Sequence, residues 1–310
     1  MEIIRGAHNI QPRHRGCVVT IGNFDGVHRG HQRLLQGLAH YAQKFDVPAT
    51  LITFEPQPRE FFGASQVPPR LTRLREKVHL FEQNGLDRLV LLPFNDRTAS
   101  TPAKWVADDL MHQMLGAKHV VVGDDFRFGR DREGSFAYLQ EAGQRLGYAV
   151  SDTQSLLVGG DRVSSTLIRE VLQRGDFITA TEMLGHEYFI MGHVVYGRQL
   201  GRQLGVPTAN IRLQRYKAAL EGVYCVEVDG IDGSRRSGVA NIGVRPTVDG
   251  KEPLLEVHVF DFQGDLYNQL LTVTFKHKLR DERAFDGIDA LKAQIEKDMQ
   301  DAVKWFVEND

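Results

Sequence analysis

Cysteine is scarce in this chain: 310 residues hold two, Cys17 and Cys225, far apart. Such a pair supplies neither a disulfide framework nor a Cys-rich zinc site. It reads as two free thiols in a reducing compartment. Neither sign of charge is in excess: 38 Lys+Arg stand against 40 Asp+Glu, a formal net charge of -2. Nucleic acid as the main partner calls for a net basic domain, so the balance excludes that class and leaves only a local basic patch open. Long hydrophobic runs are missing too. The longest apolar stretches, such as 89–93, fall far short of the ~20 residues that span a bilayer. The start, Met1-Glu2-Ile3-Ile4-Arg5, has no apolar signal-peptide region. The chain reads as soluble and cytoplasmic, with no membrane partner. There is no internal repeat, low-complexity segment or long linker. The composition, 42% hydrophobic and 25% charged, is that of a globular protein. At ~100–200 residues per domain, the length suggests two domains.

The two halves have different patterns. In the first, short apolar runs at 17–21, 49–54, 88–92, 118–122 and 148–152 alternate with amphipathic stretches at 31–45, 72–84, 102–115 and 135–146. Near residue 31, Leu34, Leu35, Leu38 and Tyr41 share one helical face. Apolar strands alternating with helices predict a doubly wound α/β domain with a parallel sheet covered on both faces. Ligands of such sheets sit beyond the carboxyl ends of the strands. From about His186, short strand-like runs (189–196, 223–228, 237–242, 254–260, 271–275) are separated by Gly, Asp and Asn. They predict a compact antiparallel β-barrel. A closing helix at 288–307 carries an apolar stripe of Ile288, Leu291, Ile295, Met299, Ala302 and Phe306. The domains are expected at 1–185 and 186–310.

The first strand runs into Gly22-Asn23-Phe24-Asp25-Gly26-Val27-His28-Arg29-Gly30-His31. Three glycines in nine residues permit tight turns and close approach of backbone to a ligand. A helix opening near Gly30 offers unpaired N–H groups and a positive dipole end, which suit phosphate. His28 and His31 can donate to phosphate oxygens. A nucleoside triphosphate is expected here. A metal at His-x-x-His is the rival reading, but no nearby Cys or second histidine pair completes such a site.

This segment resembles the His-x-Gly-His signature of the nucleotidyltransferase superfamily. In its full form it resembles bacterial bifunctional riboflavin kinase/FAD synthetases, and the resemblance extends over nearly the whole chain. Val163-Ser164-Ser165-Thr166-Leu167-Ile168-Arg169 is similar to the family's Ser-Ser-Thr-x-x-Arg segment. That likeness implies ATP-phosphate contacts for Ser164, Ser165, Thr166 and a catalytic Arg169. Gly123-Asp124-Asp125-Phe126-Arg127-Phe128-Gly129 resembles a family loop of the adenylyltransferase site, implying Asp125 at ATP and Phe128 near the flavin. Thr53-Phe54-Glu55-Pro56-Gln57-Pro58, with Phe61 and Phe62, resembles the loop lining the flavin pocket. By that likeness Phe54, Pro56, Pro58 and Phe62 bind the flavin, and apolar faces suit ring stacking. Gln57 stands where many relatives carry His and receives no role. Gly22, Asn23, Phe24, Asp25 and Gly26 are expected at ATP, and His28 and His31 at the reacting phosphates.

In the second half, 192–210 resembles the riboflavin kinase pattern Gly-Arg-x-Leu-Gly-Phe-Pro-Thr-Ala-Asn, with Val206 for the usual Phe. The likeness implies ATP contacts from Gly192, Gly197, Arg198, Gly201, Arg202 and Pro207. Thr208 and Asn210 offer the oxygens that Mg²⁺ accepts beside nucleotide phosphates. By itself Pro207-Thr208-Ala209-Asn210 reads as a turn. In 254–260, alternation sets Leu254, Glu256, His258 and Phe260 on one face and Leu255, Val257 and Val259 on the other. Glu256 then points to a cleft or to solvent, and the family places its catalytic Glu here. His258 receives no role. Residues 238–247 resemble a turn near the kinase site. Residues 275–285 resemble a loop that closes over the flavin in relatives, implying flavin contacts for Arg280 and Glu282. Its basic residues, Lys276, Lys278, Arg280 and Arg283, are equally readable as a solvated face.

The resemblance implies two sequential reactions: riboflavin and ATP give FMN and ADP, then FMN and a second ATP give FAD and pyrophosphate, with Mg²⁺ accompanying ATP. Two rivals are a chain with one working domain and a flavin- or nucleotide-binding regulator without catalysis. A single sequence carries no reading of oligomeric state.

Overall fold

The structure is a computed structural model that describes residues 1–63, 67–197, 205–247 and 250–309. It divides into two compact units: residues 1–67 with 72–164, and residues 68–71 with 165–310.

The first unit is built on six parallel strands: β1 (Glu2–Arg5), β2 (Cys17–Ile21), β3 (Ala49–Glu55), β4 (Arg88–Pro93), β5 (Ala117–Gly123) and β6 (Ala149–Thr153). Their order is β1-β4-β3-β2-β5-β6. Five were expected. The sixth, β1, is a four-residue edge strand paired with β4 from Glu2↔Arg88 to Arg5↔Leu91. Between the strands lie α1 (Arg29–Phe45), α2 (Pro58–Phe62), α3 (Leu74–Gln83), α4 (Asp96–Ala99), a π-helix (Trp105–Met114) and α5 (Phe136–Leu146). Leu34, Leu35 and Leu38 of α1 are buried, as their spacing requires. The stretch expected as an ordinary helix at 102–115 is wound as a π-helix, with i→i+5 bonding. One core cluster packs Val19, Ile21, Val120 and Val122 against Ala107, Leu110 and Met111 of that helix. A small hairpin, β7 (Leu157–Val158) with β8 (Asp161–Arg162), ends the unit.

The strand order places the functional region. From β2 the chain adds β3 and β4 on one side, then β5 and β6 on the other. The winding therefore reverses between β2 and β5, and the crevice at such a reversal is where α/β sheets bind ligands. The loops leaving these two strands are the two that carry the histidine motif and the Gly123–Gly129 motif.

In the second unit, α6 (Ser165–Gln173) and α7 (Phe177–Leu184) precede a closed barrel of β9 (Phe189–Val195), β10 (Ala209–Arg212), β11 (Gly222–Ile231), β12 (Ser234–Thr247), β13 (Gly250–Val259) and β14 (Leu270–Arg280). The order is β10-β13-β12-β11-β14-β9, every pairing antiparallel. Five strands were expected here too. The sixth is β10, where Pro-Thr-Ala-Asn reads locally as a turn. Flanking strands draw it into the barrel, with Ala209 opposite Val257 and Ile211 opposite Leu255. The chain closes with α8 (Ile288–Asn309). Of the expected stripe, Ala302 and Phe306 are buried against Val223, Cys225 and Val239, and Met299 packs beside them. Ile288 is 71% exposed. The same face also buries Asp298, which Arg280 of β14 grips with its Nε and Nη2 at 2.9 and 2.7 Å.

The segment 68–71 belongs to this second unit. Its carbonyls accept from Arg169 Nε (Pro69, 2.5 Å), from Arg215 Nη1 (Arg70, 3.0 Å; Leu71, 3.2 Å) and from the Tyr188 hydroxyl (Leu71, 3.3 Å). Cys17 and Cys225 are buried free thiols. Burial pushes them up to about 11 and about 12, so both are protonated at neutral pH. Among the described residues no helix is long and apolar enough to cross a membrane.

Candidate functional sites

In the first unit, β2 delivers the chain into the loop 22–28, and α1 begins at Arg29 with His28 as its N-cap. His28 Nδ1 accepts from the His31 N–H at 3.4 Å. The two imidazoles stack, centroids 3.6 Å apart and 18° from parallel, and Phe24 packs on His31 at 5.0 Å. A side chain at Gly30 would put a Cβ 3.1 Å from the His28 ring, which explains the glycine between the histidines. His31 Nδ1 is buried with no hydrogen-bond partner among the described residues. Desolvation, then His28, then Lys77 hold His31 well below its ordinary value. It is neutral at pH 7, able to offer one N–H and one lone pair.

The loop residues divide by role. Asn23 is exposed, whereas Phe24 (2% exposed) is a core side chain set edge-on to Phe81. Asp25 is 4% exposed, and its Oδ1 accepts from the Thr72 N–H (2.9 Å) and hydroxyl (3.3 Å). The Thr72 hydroxyl oxygen in turn accepts from the Gly26 N–H at 2.8 Å. Gly22, Phe24 and Gly26 therefore have only backbone to present at this loop, and the Gly26 N–H is taken by Thr72. Asp25 is already engaged in holding the loop.

Beyond β5, Phe128 is 7% exposed, stacked on Phe126 and edge-on to Tyr138. It joins the unit's core cluster. Asp125 is exposed and pairs with Arg162 Nη2 at 2.8 Å, and the same nitrogen reaches Asp124 at 3.3 Å. Ser155 donates to Asp124 and holds its carboxyl below the usual range, with Arg162 adding to the effect. Only the fold brings Arg162, on β8, to this loop: its sequence signal is a charge after the Gly159-Gly160 turn.

Of the other expected flavin residues, Phe54 stands at the carboxyl end of β3 and Pro56, Pro58 and Phe62 follow it. Phe54, Phe61 and Phe62 each meet Phe94 edge-on, with centroids 5.5–5.6 Å apart. Phe62 is 69% exposed, an open aromatic face. Phe94 immediately follows β4, at the carboxyl end where ligands are sought. Pro58 opens α2, and Pro56 follows a cis peptide bond from Glu55. Ser164 closes the first unit; Ser165, Thr166 and Arg169 lie on α6 of the second. Arg169 is 8% exposed.

In the barrel, β13 alternates as expected: Leu255, Val257 and Val259 are buried, while Glu256 and His258 are half-buried on the opposite face. Glu256 stands opposite Asn210 of β10 on one side and Asn241 of β12 on the other. Three polar side chains thus line one face of adjacent strands. A side chain at Gly197 would put a Cβ 2.5 Å from Asn210 Oδ1, so the chain passes directly over that amide. Asn210 is 6% exposed; its Nδ2 donates to the Thr208 carbonyl at 3.3 Å, and its Oδ1 is buried without a partner among the described residues. The His258 ring donates from Nδ1 to the Pro207 carbonyl at 2.8 Å, tying β13 to the segment before β10. Gly192 packs against Ile211 with no room for a side chain. Arg198, Gly201 and Arg202 lie outside the described residues.

Arg280 holds Asp298, and its guanidinium lies 5.7 Å from the Phe285 ring. The Glu282 carboxylate packs against Gly243. Lys276 pairs with Glu187 and Glu227, and Lys278 with Asp281. This basic segment is laced with ion pairs. Among the described residues no group of three or more His, Cys, Asp or Glu is placed to hold a metal.

Comparison with known proteins matches the same two regions. Residues 10–167 match the family model for FAD synthetase, and residues 184–306 that for riboflavin kinase. A Pseudomonas fluorescens protein is 50% identical over 301 residues, 96% of each chain. One from Escherichia coli K12 is 46% identical over 307 residues, 99% of this chain and 98% of that one. Both carry the name bifunctional riboflavin kinase/FMN adenylyltransferase. A solved Streptococcus pneumoniae chain, described as a macrolide-efflux protein, superposes with a TM-score of 0.79 at 29% identity, over 96% of this chain and 97% of that one.

Proposed function

The chain belongs to the bifunctional riboflavin kinase/FMN adenylyltransferases, and on that premise we propose that it converts riboflavin to FMN and FMN to FAD, using one ATP at each step. The observation that carries this reading is the presence, in order on one chain, of both family segments, each with its own reactive constellation. The functional domains are taken as 1–185 and 186–310, in the cytoplasm, where two free thiols stay reduced.

In the barrel, Glu256 takes the proton of the terminal ribityl hydroxyl, whose oxygen attacks the γ-phosphorus of ATP, and ADP leaves. Its place between Asn210 and Asn241, on the face of β13 opposite the buried Leu255 and Val257, keeps the carboxylate out of the hydrophobic core. Gly192, Gly197, Arg198, Gly201, Arg202 and Pro207 are assigned to ATP, and Arg280 and Glu282 to the flavin side. A divalent cation fits the donor set: Asn210 has a buried amide oxygen without a partner among the described residues, and Thr208 brings a second oxygen. Thr208 and Asn210 would hold Mg²⁺, which would offset charge on the phosphates.

In the N-terminal domain, an FMN phosphate oxygen attacks the α-phosphorus of the second ATP, and pyrophosphate leaves. This nucleophile is already anionic, so positioning and charge stabilisation do the catalysis. His28 and His31 are assigned to the reacting phosphates, with Arg169 as a bidentate cation. Gly22, Asn23, Phe24, Asp25, Gly26, Asp125, Ser164, Ser165 and Thr166 serve ATP binding. Phe54, Pro56, Pro58, Phe62 and Phe128 are assigned to the flavin, and the open Phe62 face is the clearest stacking surface among them.

The test is a time course with riboflavin, ATP and Mg²⁺, flavins separated by chromatography. FMN first and FAD later is the expected result. FMN without FAD leaves only the kinase. Conversion of added FMN but not riboflavin leaves only the adenylyltransferase. No conversion of either flavin defeats the enzyme reading in favour of a binding regulator.

A further inference from the structure

Between Gly22 and His28 the backbone follows a path that most residues avoid. Phe24 (φ 49°), Gly26 (φ 85°) and Val27 (φ 41°) all lie in the left-handed region. For a β-branched residue such as Val27 this is an outlier, and it persists only where the surroundings over-determine it. The side chains of Phe24 and Val27 are buried and supply part of that constraint.

The rest comes from α3 and the segment that leads into it. Lys77 is fully buried, and its Nζ donates to the Asn23 carbonyl at 2.5 Å. The Thr53 hydroxyl reaches the same oxygen at 3.4 Å. Four residues before α3's Glu76, Thr72 grips the next stretch of the loop, through Asp25 and the Gly26 N–H. The loop is thus held at two points, by groups about fifty positions away in sequence.

A peptide unit is rigid and planar, its carbonyl and N–H pointing opposite ways. With the Asn23 carbonyl turned onto Lys77, the Phe24 N–H points away from it, and among the described residues nothing accepts from that N–H. The Gly26 N–H, in contrast, is occupied by Thr72. Burying an ammonium is costly, and a neutral donor would serve one structural carbonyl. A lysine here also sets a positive charge beneath a phosphate-binding loop and beside His31.

We propose that Lys77, assisted by Thr72, is a positioning residue for adenylyl transfer: it fixes the 23–24 peptide so that the Phe24 N–H is aimed at a phosphate oxygen of the bound nucleotide. The proposal rests on reading the His28–His31 region as the adenylyltransferase site.

The test uses the full chain carrying Lys77→Met, Thr72→Val or both, with FMN adenylylation and riboflavin phosphorylation measured on the same samples. Wild-type protein that makes no FAD from FMN and ATP defeats the reading of the site, whatever Lys77 does. With active wild type, K77M is expected to lower the adenylylation kcat by ~100-fold, as loss of an aimed donor does. The KM for FMN should stay within about threefold and the kinase rate unchanged, because the fault lies in alignment. T72V should show the same pattern at roughly tenfold, and the double variant should lose less than the product of the two. Folded K77M with wild-type kcat overturns the proposal, as does a loss confined to KM. If circular dichroism shows K77M unfolded, T72V decides: wild-type kcat there overturns the proposal, and a kcat loss at unchanged KM sustains it.

Discussion

At the scale of single residues, substitution is expected to separate the two chemistries. His28→Ala is expected to cut FAD formation by ~10²–10³-fold, the cost of losing one preorganised donor, with riboflavin phosphorylation intact. Glu256→Ala is expected to do the reverse, lowering the kinase rate by ~10²–10⁴-fold while added FMN still becomes FAD. Gly197→Ala should also depress the kinase alone. The new methyl would meet the Asn210 amide at 2.5 Å and push it aside. Steady-state rates for both reactions on each variant check all three. Residues that act through neighbours in sequence were legible: His28, Gly30 and His31 stand within one turn, and the β13 alternation put Glu256 on the open face. Residues joined by the fold were not. Nothing near Thr72, Phe94 or Arg162 in the sequence announces a partner dozens of positions away.

Among the elements, the two strands missed from sequence share a cause. β1 is short and half polar, and β10 directly follows a proline–threonine pair that favours a turn. Each becomes a strand because a neighbour supplies its ladder. The π-helix was equally invisible, since amphipathic spacing does not distinguish i→i+4 from i→i+5 bonding. α8 was read from its apolar stripe, but the stripe omits its polar member. Asp298 is buried on the same face as Ala302 and Phe306, and its carboxylate is held by Arg280. Asp298→Asn should therefore loosen α8 from the barrel, at a cost of about 2 kcal/mol, below that of a dry pair because Arg280 is 20% exposed. Urea unfolding followed through Trp305, stacked on His277, would show an earlier midpoint, whereas Asp289→Asn on the exposed first turn would not shift it.

For the molecule as a whole, stability should fall with acid in two stages. His31, His119 and His277 all sit below their ordinary range, chiefly through desolvation. Their unfolded forms take up protons near pH 6.5 while the folded forms resist. The stability they support is complete above about pH 6.5 and declines as pH drops below it. Asp108, lowered first by its hydrogen bond to Arg145, and Asp124, lowered by Ser155, add a second loss below about pH 4. Urea midpoints from pH 8 to pH 3 test this. His119→Phe, which keeps the stack on Tyr41 and removes a proton site, should flatten the first decline. The passage of residues 68–71 through the second unit bears on how such enzymes can be rebuilt. A gene fragment starting at codon 165 would encode a barrel without the carbonyls that receive Arg169, Arg215 and Tyr188. The two activities are therefore not exchangeable cassettes: a chimaera joining this kinase half to another synthetase half inherits a foreign tetrapeptide at that place, and its success depends on four residues encoded far upstream of the splice.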